Sequence, residues 1–249
     1  MGKALYYIPS GRNFTLFWQW ANRVNFVDKL IVRNYLTHEA HNIARKFFFE
    51  HDYDYLIMGH DDYLGSPDHV KMLLGDEEKH HFPVISGWSN IWLPPYKRER
   101  PSLASISLRR PNTHKLKTGK LTMNDYGFVA MRDILLAKYG YPFARVWFMG
   151  FPLTLIRRDT LKKVPFRPYK KVKDEFCFTA ETKKHGRGIV FDLQFALDCE
   201  KQHIPIRIDT RIFLLHFGKE GMYSHLRMGR NPRNNWKREI KFIKAKRSF

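Results

Sequence analysis

Short apolar runs alternate with amphipathic segments along the first 60 residues. Runs rich in aliphatic and aromatic residues at 4–8, 29–32 and 55–58 predict three short strands. Between them, residues 14–24 carry aromatic side chains at helical spacing, and a second amphipathic segment runs from Thr37, a residue suited to an N-cap, to His51. This βαβαβ order predicts a parallel sheet with right-handed crossovers and therefore an α/β fold.

The third predicted strand ends in two adjacent carboxylates, Asp61 and Asp62, which follow His60. Pro67 and Asp68 then open a predicted helix. Carboxylates at the carboxyl end of a buried strand can bind a hard cation at a place that a phosphorylated ligand reaches. The alternative is that one carboxylate caps the following helix and binds no metal.

These features resemble the GT-A fold glycosyltransferases, in particular the family-2-like inverting enzymes. In that family a Rossmann-like βαβαβ nucleotide-binding half ends in a D-x-D motif, which binds a divalent cation and the donor diphosphate. The matching triplet here is His60, Asp61 and Asp62, with histidine in place of the first acid. The resemblance implies that Asp62 binds the metal, that Asp61 stands in for the lost carboxylate, and that His60 lies beside the donor.

Three further segments resemble the same family in the expected order. Residues 41–42 look like a diverged Arg-Asn pair of the second helix, so Asn42 is expected to contact the donor. Residues 82–88 occupy the place of the fourth strand, and residues 150–159 are similar to the glycine-led strand and basic turn on the acceptor side. The resemblance thus extends over most of the chain and implies a mostly parallel central sheet flanked by helices.

Two later residues complete the implied active site. Asp192 resembles the aspartate that serves as catalytic base in an E-D-x-x-F type motif, although Phe191 replaces the first acid. His216 resembles the metal-binding histidine of the last strand. From the residues alone, Asp192 is equally suited to capping a helix, and His216 to bonding backbone groups in the core.

The resemblance implies metal-dependent transfer of a sugar from a UDP- or GDP-sugar, with inversion favoured. A divalent ion would stabilise the charge that develops on the departing diphosphate, and a histidine ligand favours Mn²⁺ over Mg²⁺. Asp192 would accept the proton of the acceptor hydroxyl, where the acceptor is a glycan, a lipid or a protein. Further donor contacts are expected from Pro9, Ser10, Gly11 and Arg12 after the first strand and from Asn34 after the second.

The length of 249 residues suits a single catalytic domain over residues 1–226. We divide it into a nucleotide-sugar half, 1–90, and an acceptor half, 91–226, followed by a basic tail, 227–249. No run of about 20 apolar residues and no signal-peptide pattern is found in the sequence. The two cysteines have no framework spacing, which predicts free thiols in a reducing cytoplasm.

The formal net charge is +20, and much of it is clustered. In the tail, Trp236, Ile240 and Ile243 have helical spacing among lysines and arginines, which predicts a helix on the anionic inner face of a membrane or one docked on the domain. A basic stretch at 157–173 is expected to attract the diphosphate or an acidic acceptor, and one at 109–120 to lie in a long loop over the site.

The rival function is nucleic-acid binding. The sequence pI of about 10.0 with interleaved aromatics is typical of such proteins, and paired acids could hold the metals of a nuclease or a nucleotidyl transferase. The basic residues match no nucleic-acid motif, however, and no further clustered acids provide a second metal site. A GT-A scaffold that has lost catalysis is a third alternative, because His60 and Phe191 depart from the family pattern.

Overall fold

The helices and strands of the protein follow the predicted alternation. The computed structural model describes residues 2–10, 15–35, 37–90, 103–111, 127–137, 140–167, 191–216 and 238–246. The strands are β1 (Ala4–Ser10), β2 (Asp28–Arg33), β3 (Tyr55–Gly59), β4 (Tyr63–Leu64), β5 (Val84–Ser89), β6 (Leu103–Ser107), β7 (Phe128–Ala130), β8 (Phe143–Val146), β9 (Phe148–Met149), β10 (Leu153–Arg157), β11 (Ile206–His216) and β12 (Glu239–Ile243). The helices are α1 (Thr15–Arg23), α2 (Thr37–Glu50), α3 (Pro67–His80), α4 (Met131–Ala137), α5 (Arg158–Lys163) and α6 (Phe191–Lys201).

One large sheet organises the molecule, in the order β12-β2-β1-β3-β10-β5-β11-β4, with β8 also paired to β11. Strand β1 is parallel to β2 and β3, and β5 is parallel to β11, whereas β10 lies antiparallel between β3 and β5. A second, three-stranded sheet has the order β7-β6-β9. Strands β1, β2, β3, β5 and β11 run in one direction, and this sheet with its Rossmann-like βαβαβ beginning confirms the predicted α/β fold class.

Helices cover both faces of the large sheet, which explains the uninterrupted apolar runs in its strands. Every residue of β1 is buried. Leu5 and Tyr7 face a core that includes Ala44 and Phe48 of α2, while Tyr6 and Ile8 face a second core formed with α1 and α3. Burial on both faces favours apolar residues at consecutive positions, so residues 4–9 of β1 are apolar and period-two alternation is absent there.

Helix α3 begins directly after the two carboxylates and has strong local signals. The Ser66 side chain accepts a hydrogen bond from the Asp68 backbone N–H at 3.2 Å, and the His69 ring accepts one from the Ser66 N–H at 3.3 Å. Pro67 occupies the first turn, where its missing N–H is not needed. Ser66 is therefore the cap of α3, and neither Asp61 nor Asp62 is needed for that role.

The tail forms a strand, and the helix predicted there is wrong for the described residues. Glu239–Ile243 is β12, which pairs antiparallel with β2 and becomes the edge of the large sheet. The Phe242 ring lies 5.3 Å from the ring of Phe47 on α2. Pairing gives the backbone of β2 hydrogen-bond partners on its outer side, and this outweighs the helical spacing. Trp236 lies outside the described residues, so contact with a membrane stays a prediction.

The basic turn after β10 lies away from the carboxylates of β3. Because β10 is antiparallel to β3, Arg157 is paired with Tyr55 at the amino end of β3. Arg157 binds Glu77 at 3.0 Å, and Arg158 donates to the Tyr53 carbonyl at 2.8 Å. The expectation that these two arginines attract a diphosphate is therefore wrong, because they connect β10 and α5 to α3 and the start of β3.

No helix within the described ranges is long and apolar enough to cross a membrane. Several predicted features lie outside the described residues. Those features are Gly11, Arg12, Cys177, residues 112–120 of the predicted loop and residues 168–173 of the second basic stretch.

Candidate functional site

The carboxyl ends of the parallel strands meet at one edge of the large sheet. This is the edge at which open α/β sheets bind ligands. Strand β1 ends at Ser10, β3 is followed by His60 and the two aspartates, and β11 ends at His216. The predicted residues at the ends of β1 and β11 thus lie at the same edge of the sheet, although they are some 200 residues apart in sequence.

Asp62 and His216 face each other. The His216 Nε2 atom lies 3.3 Å from the Asp62 Oδ2 atom, and the two side chains are 26% and 15% exposed. Asn90 fixes the His216 backbone, since its Oδ1 accepts from the His216 N–H at 2.8 Å and its Nδ2 donates to the His216 carbonyl at 3.4 Å. The Tyr63 ring stacks on the imidazole with centroids 4.5 Å apart. A carboxylate and an oriented imidazole therefore converge at the sheet edge.

Asp61 belongs to a neighbouring network at the ends of β1 and β2. Its Oδ2 accepts a hydrogen bond from the Ser10 hydroxyl at 3.1 Å, and the residue is 6% exposed. The Asn34 N–H donates to the Ser10 carbonyl at 2.9 Å, and Asn34 has a φ of 63°, a left-handed conformation that asparagine tolerates. Three of the predicted donor-binding residues are thus connected. Pro9 is buried in β1 directly before them.

The predicted metal ligands fit a divalent ion only in part. Within the described residues, no three His, Cys, Asp or Glu side chains are grouped to hold a metal, so the structure does not place Asp61 together with Asp62 and His216. One carboxylate and one imidazole suit Mn²⁺ when a ligand supplies further oxygens. Asp62 and His216 could therefore hold an ion jointly with a diphosphate.

Aromatic and imidazole rings fill the space between α2, the end of β3 and α6. His41 is fully buried, and its Nδ1 lies 2.9 Å from the hydroxyl oxygen of Tyr7. The His41 ring is 4.3 Å from Phe191 and 6.0 Å from His60, and Phe191 and His60 stack at 6.3 Å. Burial raises the pKa of Tyr7 well above its ordinary value, so its hydroxyl stays neutral. These contacts fix the first turn of α6, and hence Asp192, beside the end of β3.

Asp192 is the second residue of α6, and its carboxylate also accepts a hydrogen bond from a backbone N–H at the start of that helix. Its Oδ1 accepts a hydrogen bond from the Leu193 N–H at 2.9 Å. Phe151, which has a φ of 51°, supports the same turn through ring contacts of 5.3 Å to Phe191 and 4.9 Å to Phe195. The helix dipole favours the ionised carboxylate at this position. Stabilising the helix start and accepting a proton are compatible roles for it.

The structure also identifies site residues that the sequence analysis missed. Helix α2 turns the buried His41 towards the ring cluster and leaves the predicted Asn42 exposed. Asn90 and Tyr63 hold His216 in place, yet neither belongs to a recognisable motif. The only available signals were positional, because Tyr63 follows Asp62 and Asn90 follows β5 at the carboxyl edge of the sheet.

Comparisons with known proteins support the fold. No known protein family and no curated protein matches the chain. The crystal structure of A197 from STIV superposes with a TM-score of 0.50 at 19% identity, covering 87% of this chain and 86% of that one. This protein therefore shares its fold with A197 from STIV.

Two other solved structures are more distant. The CMP:2-keto-3-deoxy-manno-octonic acid synthetase complexed with CTP gives a TM-score of 0.42 at 12% identity, covering 86% of this chain and 90% of that one. S. aureus TarS 1–349 in complex with UDP-GlcNAc gives 0.40 at 11% identity, covering 88% of this chain and 59% of that one. Scores at this level add nothing to the fold assignment.

Proposed function

We propose that this protein is a glycosyltransferase that uses a nucleotide-activated sugar and a divalent metal ion. The observation that supports this most directly is the convergence of Asp62 and His216 at 3.3 Å, at the carboxyl edge of the sheet. The network of Ser10, Asp61 and Asn34 lies at the ends of the adjoining strands. A nucleotide that spans this edge would place its diphosphate against Asp62 and the rest of the donor along β1 and β2.

Each group then has a defined task. When bound, the metal ion supplies positive charge that stabilises the departing diphosphate. Asp62 and His216 would hold it, while Asn90 and Tyr63 keep the imidazole in one orientation. Fixing a ligand in this way removes the need to reorganise it during the reaction.

Asp192 is the proposed general base on the acceptor side. Its position next to Phe191, whose ring stacks on His60, brings it near the donor end of β3 without direct participation in metal binding. Abstraction of the acceptor proton by a positioned carboxylate contributes about 10²–10⁴ in rate. The acceptor is a glycan, a lipid or a protein hydroxyl.

Nuclease or two-metal nucleotidyl transfer is less well supported. That chemistry needs several acids around a pair of ions. The described part of the chain contains no group of three or more metal-binding side chains.

A thermal-shift panel of UDP-, GDP- and dTDP-sugars, with and without Mn²⁺, tests the proposal. A donor at about 100 times its Kd adds roughly 2.7 kcal/mol to the stability, which raises the Tm by about 5–10 °C for a chain of this size. We expect one class of donor to do so only with the metal. If no nucleotide sugar shifts the Tm in either condition, the proposed function is wrong.

A further inference from the structure

Two arginines face each other across the antiparallel pair formed by β8 and β11. Arg207 is directly paired with Arg145. Residues paired in this way lie on the same face with Cβ atoms about 4.5–5.5 Å apart, and like charges at such positions destabilise the sheet. The pairing therefore brings two like charges together, and an anion bound between the two guanidinium groups would relieve their repulsion.

No acid neutralises this pair within the described residues. The acids of the adjacent elements already have partners: Glu77 binds Arg157 at 3.0 Å, and Asp209 binds Arg211 at 2.8 Å. The Nε–H of Arg207 is buried and finds no hydrogen-bond acceptor in the part of the chain that the structure describes. A buried donor without an acceptor is a further cost that a bound oxyanion would remove after a small movement of the side chain.

Aromatic rings lie next to Arg207 and at the start of β8. The Arg207 guanidinium lies 5.9 Å from the centroid of Phe82, and the His80 ring stacks on Phe82 at 5.2 Å. Tyr141 is 65% exposed and packs edge-on against Phe143 at 5.4 Å. The face thus combines two unneutralised positive charges with an exposed aromatic ring.

We propose that Arg145 and Arg207 together bind a phosphate group. Each guanidinium presents a planar fork of N–H donors that matches phosphate oxygens, and two forks on one face can share a single anion. The phosphate belongs either to free phosphate or to the phosphodiester backbone of a nucleic acid. In the second case the exposed Tyr141 ring offers a base a surface for stacking.

This phosphate site is separate from the candidate donor site. Arg207 is near the start of β11 and His216 is at its end, nine residues later. At a rise of about 3.3 Å per residue, the two positions are up to about 30 Å apart along the strand. The inference therefore does not depend on the proposed glycosyltransferase activity.

Thermal melts of the full chain in phosphate and in chloride, at matched ionic strength and pH, test the inference. Free phosphate at about ten times its Kd should raise the Tm by about 3–6 °C relative to chloride. Arg145→Gln and the double variant with Arg207→Gln should lose this difference. In chloride, Arg145→Gln should melt no lower than the parent chain, because it relieves repulsion and Arg145 is exposed. Arg132→Gln is the matched control, since Arg132 is 83% exposed and its loss removes the same charge.

Fluorescence anisotropy with a single-stranded oligonucleotide distinguishes the two sources of phosphate. Loss of oligonucleotide binding in Arg145→Gln, with binding retained in Arg132→Gln, identifies a phosphodiester ligand. A phosphate-specific Tm shift that depends on Arg145, without such a loss, identifies free phosphate. If neither probe distinguishes Arg145→Gln from Arg132→Gln, the proposed site does not exist.

Discussion

The position of a residue at the end of a strand decides which other side chains it contacts in this protein. Asp62 and His216 are weak signals in the sequence, because acids often cap helices and histidines often bond backbone groups. The structure places them 3.3 Å apart and assigns the capping of α3 to Ser66. The structure thus brings together two residues that the resemblance to GT-A enzymes singled out, and their role in metal binding stays a prediction. Asn90, in contrast, could not be predicted, because a polar residue after a strand is common and its partner is 126 positions away.

Asp192→Asn separates catalysis from helix stabilisation. We expect sugar transfer to fall by about 10²-fold or more, with donor affinity near that of the parent chain, because an amide cannot accept the acceptor proton. Asp133→Asn is the control, since Asp133 also lies in the first turn of a short helix, α4, and is exposed. A parallel loss of donor binding and turnover in Asp192→Asn, measured by calorimetry and steady-state kinetics, would show that the residue is structural.

The carboxyl group of Asp76 makes the free energy of unfolding depend on pH. Burial, together with a hydrogen bond to Asp209, raises the pKa of Asp76 from 3.8 to about 6, although Arg211 opposes the shift. The folded chain therefore binds the proton more tightly than the unfolded chain. This contribution to stability is complete below pH 3.8 and is lost as the pH rises to about 6.

In Asp76→Asn we expect the free energy of unfolding to vary less between pH 4 and pH 6, as measured by urea denaturation. Asp52→Asn, at a side chain that is 90% exposed, should keep the slope of the parent chain. An unchanged slope in Asp76→Asn would contradict the assignment.

At the level of elements, the sequence predicted local structure well and long-range pairing poorly. The apolar runs of β1 and β3 and the amphipathic pattern of α2 are signals within a few residues, and the structure contains all three. The spacing of Ile240 and Ile243 also fits a helical period, so the sequence alone predicts a helix for the tail. Its strand depends on β2, some 200 residues earlier, whose free edge no local pattern reveals.

Two glycines test the packing of β5 and α3. An alanine Cβ at Gly87 would lie 2.6 Å from the Ile212 Cγ2 atom and 2.9 Å from the Ile212 carbonyl oxygen. We therefore expect Gly87→Ala to lower the free energy of unfolding by about 1–3 kcal/mol. Gly75→Ala is the matched control, because nothing lies within 4 Å of the new Cβ and helix α3 should gain about 0.5–1 kcal/mol. If Gly87→Ala and Gly75→Ala change the free energy of unfolding equally in urea denaturation, the close contact between β5 and β11 is contradicted.

At the scale of the whole molecule, the fold explains why distant motifs act together. Strand β10 lies antiparallel between β3 and β5, so Phe151, two residues before β10, is near the carboxyl edge and supports α6. The same reversal carries Arg157 to the opposite edge, where it binds Glu77. Charge counted along the sequence therefore did not predict which basic residues lie near the candidate site. The formal net charge of the chain is +20, and the strand pairing decides which of the basic residues become neighbours. Arg145 and Arg207, which are far apart in sequence, become neighbours in this way.

The metal-dependent binding of a nucleotide sugar tests the central proposal most directly. Calorimetry of the parent chain with the donor selected by the thermal-shift panel should give tighter binding with Mn²⁺ than without it. In Asp62→Asn, we expect that metal-dependent part to be lost, with the Tm of the ligand-free chain within a few degrees of the parent, because Asp62 is at the sheet edge and does not cap α3. If Asp62→Asn binds the donor with unchanged Mn²⁺ dependence, the site at the end of β3 is not the one that holds the diphosphate.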